Sequence, residues 1–306
     1  MFRLLSNEIK IFSIPIYIGV LFLMVIGFNA LNFNTIDTIS SLFGFMGIAL
    51  GYFLFNKIGL NYNKHIPFFI YTFFVFALYD GNLDIGIAFN LFTNAFVLLI
   101  LTTGEEIFKK NYYLIVGALL ALGYLFLPTV WAFTIFVIIH LIATSDRIGL
   151  NIFRLVFGFM LVLLSYFGAM YLLGNNSFNP TYLPLISTKF KGNYYPLYFL
   201  LPVLLLVFYA VANHFIHFNK KSPRSRFRYT FILLYTLTQS VTIFLYMGEV
   251  YEYLLFIALP VSIIVSRALR FMPKYWMQEL GLWVVVLSFV LFKVGTFFNI
   301  KEIINL

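Results

Sequence analysis

Apolar runs of roughly 15–22 residues recur from one end of this chain to the other, and only short polar stretches separate them. This pattern constrains the fold more than any single motif. A segment of that length and polarity satisfies its own backbone in lipid only as a helix. Transmembrane barrel strands would instead alternate apolar and polar side chains over about ten positions, and no such alternation is present. With 10% charged residues and a hydrophobic content of 62%, the 306-residue chain cannot clothe itself in polar surface as a soluble domain does at about 25% charged. The expected fold is therefore all-α: one integral membrane domain over residues 1–306.

Hydropathy divides the chain into about eleven spans, at roughly 11–29, 39–56, 66–79, 85–102, 112–127, 129–144, 152–173, 196–217, 229–247, 251–266 and 278–297. The first is longer than a signal-peptide core and lacks a small-x-small cleavage site, so it reads as a retained helix. Spans three, five and six are short, which predicts tilting, local thinning of the bilayer or burial within the bundle. Gly44, Gly47 and Gly51 give span two a small-residue face suited to close packing inside the bundle.

The loops sort by charge. Arg3, Lys10, Lys57, Lys64, Lys109, Lys110, Arg147, Arg154, the run Lys220, Lys221, Arg224, Arg226, Arg228, and Arg267, Arg270 and Lys274 fall on one side. Asp37, Asp80, Asp84, Glu249 and Glu252 fall on the other, with Lys189, Lys191 and Lys301. The positive-inside rule then predicts a cytoplasmic N-terminus and an external C-terminus. The net charge of +9 is explained by these loops, with no need for nucleic acid as a partner. The absence of cysteine excludes disulfides and thiolate chemistry.

Three early carboxylates carry the candidate chemistry. Asp37, Asp80 and Asp84 sit at external span ends, where an ionised carboxylate reaches water at little cost. Facing a common cavity, one would serve as general base or hold a divalent cation against a lipid-linked phosphate. Asp80 and Asp84 would share a helix face if the helix began at Tyr79, whereas Gly81 and Asn82 favour a turn there. The long loop from Gly174 to Pro196 holds Lys189, Lys191, Tyr194 and Tyr195, cations and hydroxyls suited to a phosphate headgroup. Glu249 and Glu252 mark an external turn. Lys293 lies near the external end of the last span, within reach of the interface. His214 and His217 form an incomplete metal pair and read as interfacial residues. Nucleotide-binding loops, nucleophile elbows and zinc-protease motifs are all missing.

The stretch Ala77 to Asp84, Asn90, Asn94 and Leu98, then Lys109–Tyr113, Gly117–Gly123, Leu127-Pro128-Thr129 and Asp146-Arg147…Arg154 resembles an uncharacterised family of Bacteroidota inner-membrane proteins. More distantly, the layout of residues 30–160 is similar to the GT-C superfamily of glycosyltransferases. That resemblance implies a polyprenyl-phosphate sugar donor used at the external face. It implies Asp37 as catalytic residue and Asp84 as its support. The 127–129 turn lacks the Lys of that superfamily, and residues 30–38 are short for its first loop. A rival expectation is a non-catalytic subunit packed on another inner-membrane protein. A secondary transporter ranks last, because mid-span ionisable residues are nearly absent.

Overall fold

The computed structural model describes residues 1–7, 12–30, 34–58, 64–81, 83–102, 112–175, 182 and 195–297. Helix is the regular structure throughout these residues. A short α1 (Phe2–Leu5) precedes α2 (Ser13–Asn29), α3 (Thr35–Ile58), α4 (His65–Leu78), α5 (Ile85–Thr102) and α6 (Tyr112–Phe126). Then come α7 (Trp131–Thr144), α8 (Ile148–Leu172), α9 (Leu201–Ile216), α10 (Pro223–Tyr246), α11 (Leu255–Phe271) and α12 (Tyr275–Phe297). Among the described residues, seven helical stretches are long and apolar enough to cross a membrane, and four more are apolar but shorter. The protein is thus a multi-pass helical bundle by length and composition. Every apolar run read from the sequence is a helix, with ends displaced by a few residues.

The bundle is built around α11, which packs against α4, α9, α10 and α12. Its span is 83% buried, against 11% for α8. Pro260 lies inside α11, where its ring removes the N–H that would bond the carbonyl of Phe256. The Tyr235 hydroxyl of α10 donates to that carbonyl at 3.2 Å. A side chain from a neighbouring helix thereby satisfies the group that proline orphans, as a water-free interior requires.

Close approach elsewhere depends on glycine. A side chain at Gly47 would meet the backbone of Leu91 and Phe92 at 2.6 Å, and one at Gly44 would meet Leu83 at 2.7 Å. The small face of α3 is therefore filled by α5 and its leading loop. Gly117 of α6 and Gly158 of α8 face each other's helix, with the carbonyls of Leu155 and Leu114 in the space a Cβ would take. In lipid such contacts supply the dispersion and polar interactions that replace a hydrophobic driving force. The 14-residue α4 would reach only about 21 Å along its axis, short of a bilayer core of about 30 Å. It is buried instead, with Phe68, Ile70 and Val75 at 1% exposure or less. Conversely, Leu164, Tyr171 and Leu172 of α8 are more than 70% exposed, as a lipid-facing surface requires.

Candidate functional site

The polar groups of the bundle collect at two ends. At the first end, α2, α3 and α4 are tied by a closed ring of hydrogen bonds. Tyr79 donates to Ser41 at 2.9 Å, Ser41 to Asn29 at 2.8 Å, and the Asn29 amide back to the Tyr79 hydroxyl at 2.8 Å. The chain then turns at Gly81, whose φ of +96° favours a residue without a Cβ. The turn breaks the helix before Asp84, so Asp80 and Asp84 do not share a helical face.

Each carboxylate at this end has a distinct partner. Asp80, largely exposed, forms an ion pair with Lys293 of α12. The Lys293 ammonium also donates to the Tyr79 carbonyl at 2.7 Å and lies 4.9 Å from the Phe28 ring centre. Lys293 therefore does more than reach for the interface: it clamps α12 to the α4–α5 turn. Asp84 caps α5, accepting the N–H groups of Gly86 at 2.7 Å and Ile87 at 3.2 Å. The backbone N–H of Asp84 in turn donates to the Glu252 carboxylate at 3.2 Å. Next to Glu252, the Tyr253 hydroxyl meets Thr129 at 3.1 Å, which brings the 127–129 turn to the same place. Asp37 lies half-buried in the first turn of α3 at this end, and its carboxylate has no hydrogen bond or ion pair to another described residue. Glu249 is exposed in the turn before α11. Among the described residues, no group of three His, Asp or Glu side chains is placed to hold a metal ion.

Of the phosphate-gripping set, Tyr195 opens the turn Tyr195–Leu200 and packs edge-on against Phe199 at 5.8 Å. Lys189, Lys191 and Tyr194 lie outside the described residues. Tyr182, within the same loop, accepts a hydrogen bond from Tyr124 of α6 at its carbonyl.

Below this end, α9 and α10 both lean on α11 and leave an apolar groove between them of about 680 Å³. Val203 and Val207 line one wall, Thr236 and Ile243 the other, with Ile257 and Val261 as its floor. The groove reaches the acidic end at Leu197, Gly248 and Leu254. Its size lies within the 300–1,000 Å³ of typical ligand sites. Neither the groove nor the buried polar residues of the spans were anticipated from the sequence. Asn94 is one of the latter. Gln239 and Thr242, one turn apart on α10, are others, fully buried with side-chain atoms that have no partner among the described residues. Their signal in the sequence was an uncharged polar residue inside an apolar run, which a search for charge passes over.

At the second end, His214 is 1% exposed, packed inside the bundle with its ring tilted by 35° to that of Tyr229 at 4.2 Å. His217 is exposed. No curated protein and no solved structure matches the chain, so the likeness to GT-C glycosyltransferases gains no support from a neighbour of that kind. One family model matches residues 1–300, nearly the whole length, and the chain accordingly belongs to the family of unknown function DUF6427.

Proposed function

We propose that this protein binds the hydrocarbon chain of a lipid in the groove between α9 and α10 and holds the lipid's polar head at the acidic end of the bundle. The groove carries this reading: it is apolar, lies between membrane-length helices, and opens where the polar groups gather. Sequence continuity adds to it. The stretch with Lys189, Lys191 and Tyr194 runs directly into Tyr195–Leu200, whose Leu197 and Leu200 form the groove mouth. The cations and hydroxyls of that stretch suit the phosphate of such a lipid by their chemistry. In its specific form, the substrate is a polyprenyl-phosphate-linked sugar handled at the periplasmic face of a bacterial inner membrane. The chain then crosses eleven times with its N-terminus in the cytoplasm, and its N-terminal half follows a GT-C-like layout. Asp37, whose carboxylate has no partner among the described residues, would be the base or the ligand of a divalent cation in that form.

A second reading, a lipid-binding subunit without chemistry of its own, draws on a specific observation. Asp80 and Asp84 both have structural partners, one an ion pair and the other a helix cap. The test is photolabelling. Full-length protein reconstituted with a diazirine-bearing polyprenyl phosphate is irradiated, digested and mapped by mass spectrometry. Labels should concentrate on residues 197–207 and 236–248, and Val203→Trp or Ile257→Trp should cut them several-fold. Labelling spread evenly over lipid-facing helices such as α8 would defeat the proposal.

A further inference from the structure

At the end of the bundle away from the groove mouth, four nitrogen-bearing side chains converge around two aromatic rings. The Arg267 guanidinium lies 4.3 Å from the Tyr229 ring centre, and the Lys221 ammonium lies 6.0 Å from the same centre. His214 packs at a tilt against Tyr229, 4.2 Å between ring centres, and meets Phe218 edge-on at 5.5 Å, and Arg226 lies 5.3 Å from the centre of that Phe218 ring. Arg267 is only 6% exposed, yet no carboxylate pairs with it, with Lys221 or with Arg226 among the described residues.

The hydrogen-bond inventory is one-sided. Lys221 donates to His214 Nδ1 at 3.0 Å. An ammonium has donors only, so Nδ1 must accept, and the neutral ring carries its proton on Nε2. That Nε2 is buried without a hydrogen-bond partner, and so is Nε of Arg226. Both of these nitrogens are donors, and all the charge on the four side chains is positive. Burial and the nearby Arg267 charge push the Lys221 ammonium down to about 8, the mark of cations held together with nothing to neutralise them. Buried donors left unmade are costly, and natural proteins seldom keep them without a ligand or water.

We infer that His214, Lys221, Arg226 and Arg267 form a binding site for a phosphate group. A phosphate brings several acceptor oxygens and negative charge, the complement of this set, and arginine engages it through a fork of parallel hydrogen bonds. The phosphate could be free or carried on a lipid headgroup. The site uses different residues from the groove and stands at the other end, so it does not depend on the lipid-chain reading.

The experiment has two arms, with the full-length protein in each. In an uncharged detergent the protein is titrated with inorganic phosphate. In nanodiscs, phosphatidylcholine alone is compared with phosphatidylcholine plus phosphatidic acid. The unfolding midpoint is followed in both. The expected result is a rise in at least one arm, with the apparent affinity weakened about tenfold or more by Lys221→Gln and by Arg226→Gln. A rise in both arms shows that the phosphate group suffices, and a rise in the lipid arm alone assigns the site to a headgroup. Lys221 lies in a connecting turn, so its substitution remains informative if an Arg267 variant does not fold. No rise in either arm, or an equal rise in wild type and Lys221→Gln, would overturn the assignment.

Discussion

The Tyr235 hydroxyl bonds the Phe256 carbonyl, the one acceptor in α11 that Pro260 leaves without its helical donor. This pairing lets the most buried helix carry an internal proline without an orphaned carbonyl. Tyr235→Phe should cost about 1 kcal/mol, since interhelical hydrogen bonds in membranes average below that value and an unmet buried acceptor costs somewhat more. In a Pro260→Ala background the restored N–H takes over, and the same Tyr235→Phe change should cost close to nothing. A double-mutant cycle on unfolding in mixed micelles measures the difference; equal costs in both backgrounds would show the bond to be incidental.

Asp84 separates a structural role from a catalytic one. As the cap of α5 it accepts two backbone N–H groups, which asparagine can also do. Asp84→Asn should leave the unfolding midpoint nearly unchanged, while Asp84→Ala should lower stability by about 1 kcal/mol. In an assay of lipid-linked sugar transfer, Asp84→Asn tells the two apart. Full activity in that variant confines Asp84 to capping, and lost activity with intact stability places it in the chemistry.

The Asp80–Lys293 clamp is asymmetric, and so are its expected losses. Asp80 is mostly exposed and can return to water when Lys293 is replaced. Lys293 is largely buried, so Asp80→Asn leaves a cation short of its counter-charge. Thermal unfolding should show Asp80→Asn as the more damaging change, by about 1–2 kcal/mol against less than 1 for Lys293→Met. The reverse order would mean that the Tyr79 carbonyl and the Phe28 ring, not the ion pair, hold Lys293 in place.

Gly158 and Gly117 set the spacing of α6 and α8. Replacing Gly158 with valine forces its side chain into the Leu114 carbonyl, and overpacking of this kind costs about 1–3 kcal/mol. Because α8 is the least buried of the membrane-length helices, it should loosen locally. Proteolysis within α8 should then accelerate before global unfolding changes.

The orientation of the bundle is open to a simple test, because the sequence contains no cysteine. Glu249→Cys should react with a membrane-impermeant maleimide in intact cells, and Lys220→Cys only after the membrane is opened. Labelling in the opposite order would invert the topology and move the acidic end inside.

Much of the architecture was readable from hydropathy. The run at 85–102 coincides with α5, and the run at 66–79 differs from α4 by one residue at each end. The turn expected at Gly81 is present, and the glycines of α3 are used for packing within the bundle. A helix in lipid must close its own backbone bonds, so its existence is decided by the local run of side chains alone. Pairing is a different matter. Lys293 and Asp80 are separated by 213 positions, and Glu252 and Asp84 by 168. With apolar side chains on every face, these helices carry no stripe that names the partner side. Which carboxylate is capped, which cation is clamped, and where α9 and α10 part to leave a groove follow from close packing between helices. Those contacts exist only once the whole bundle has assembled.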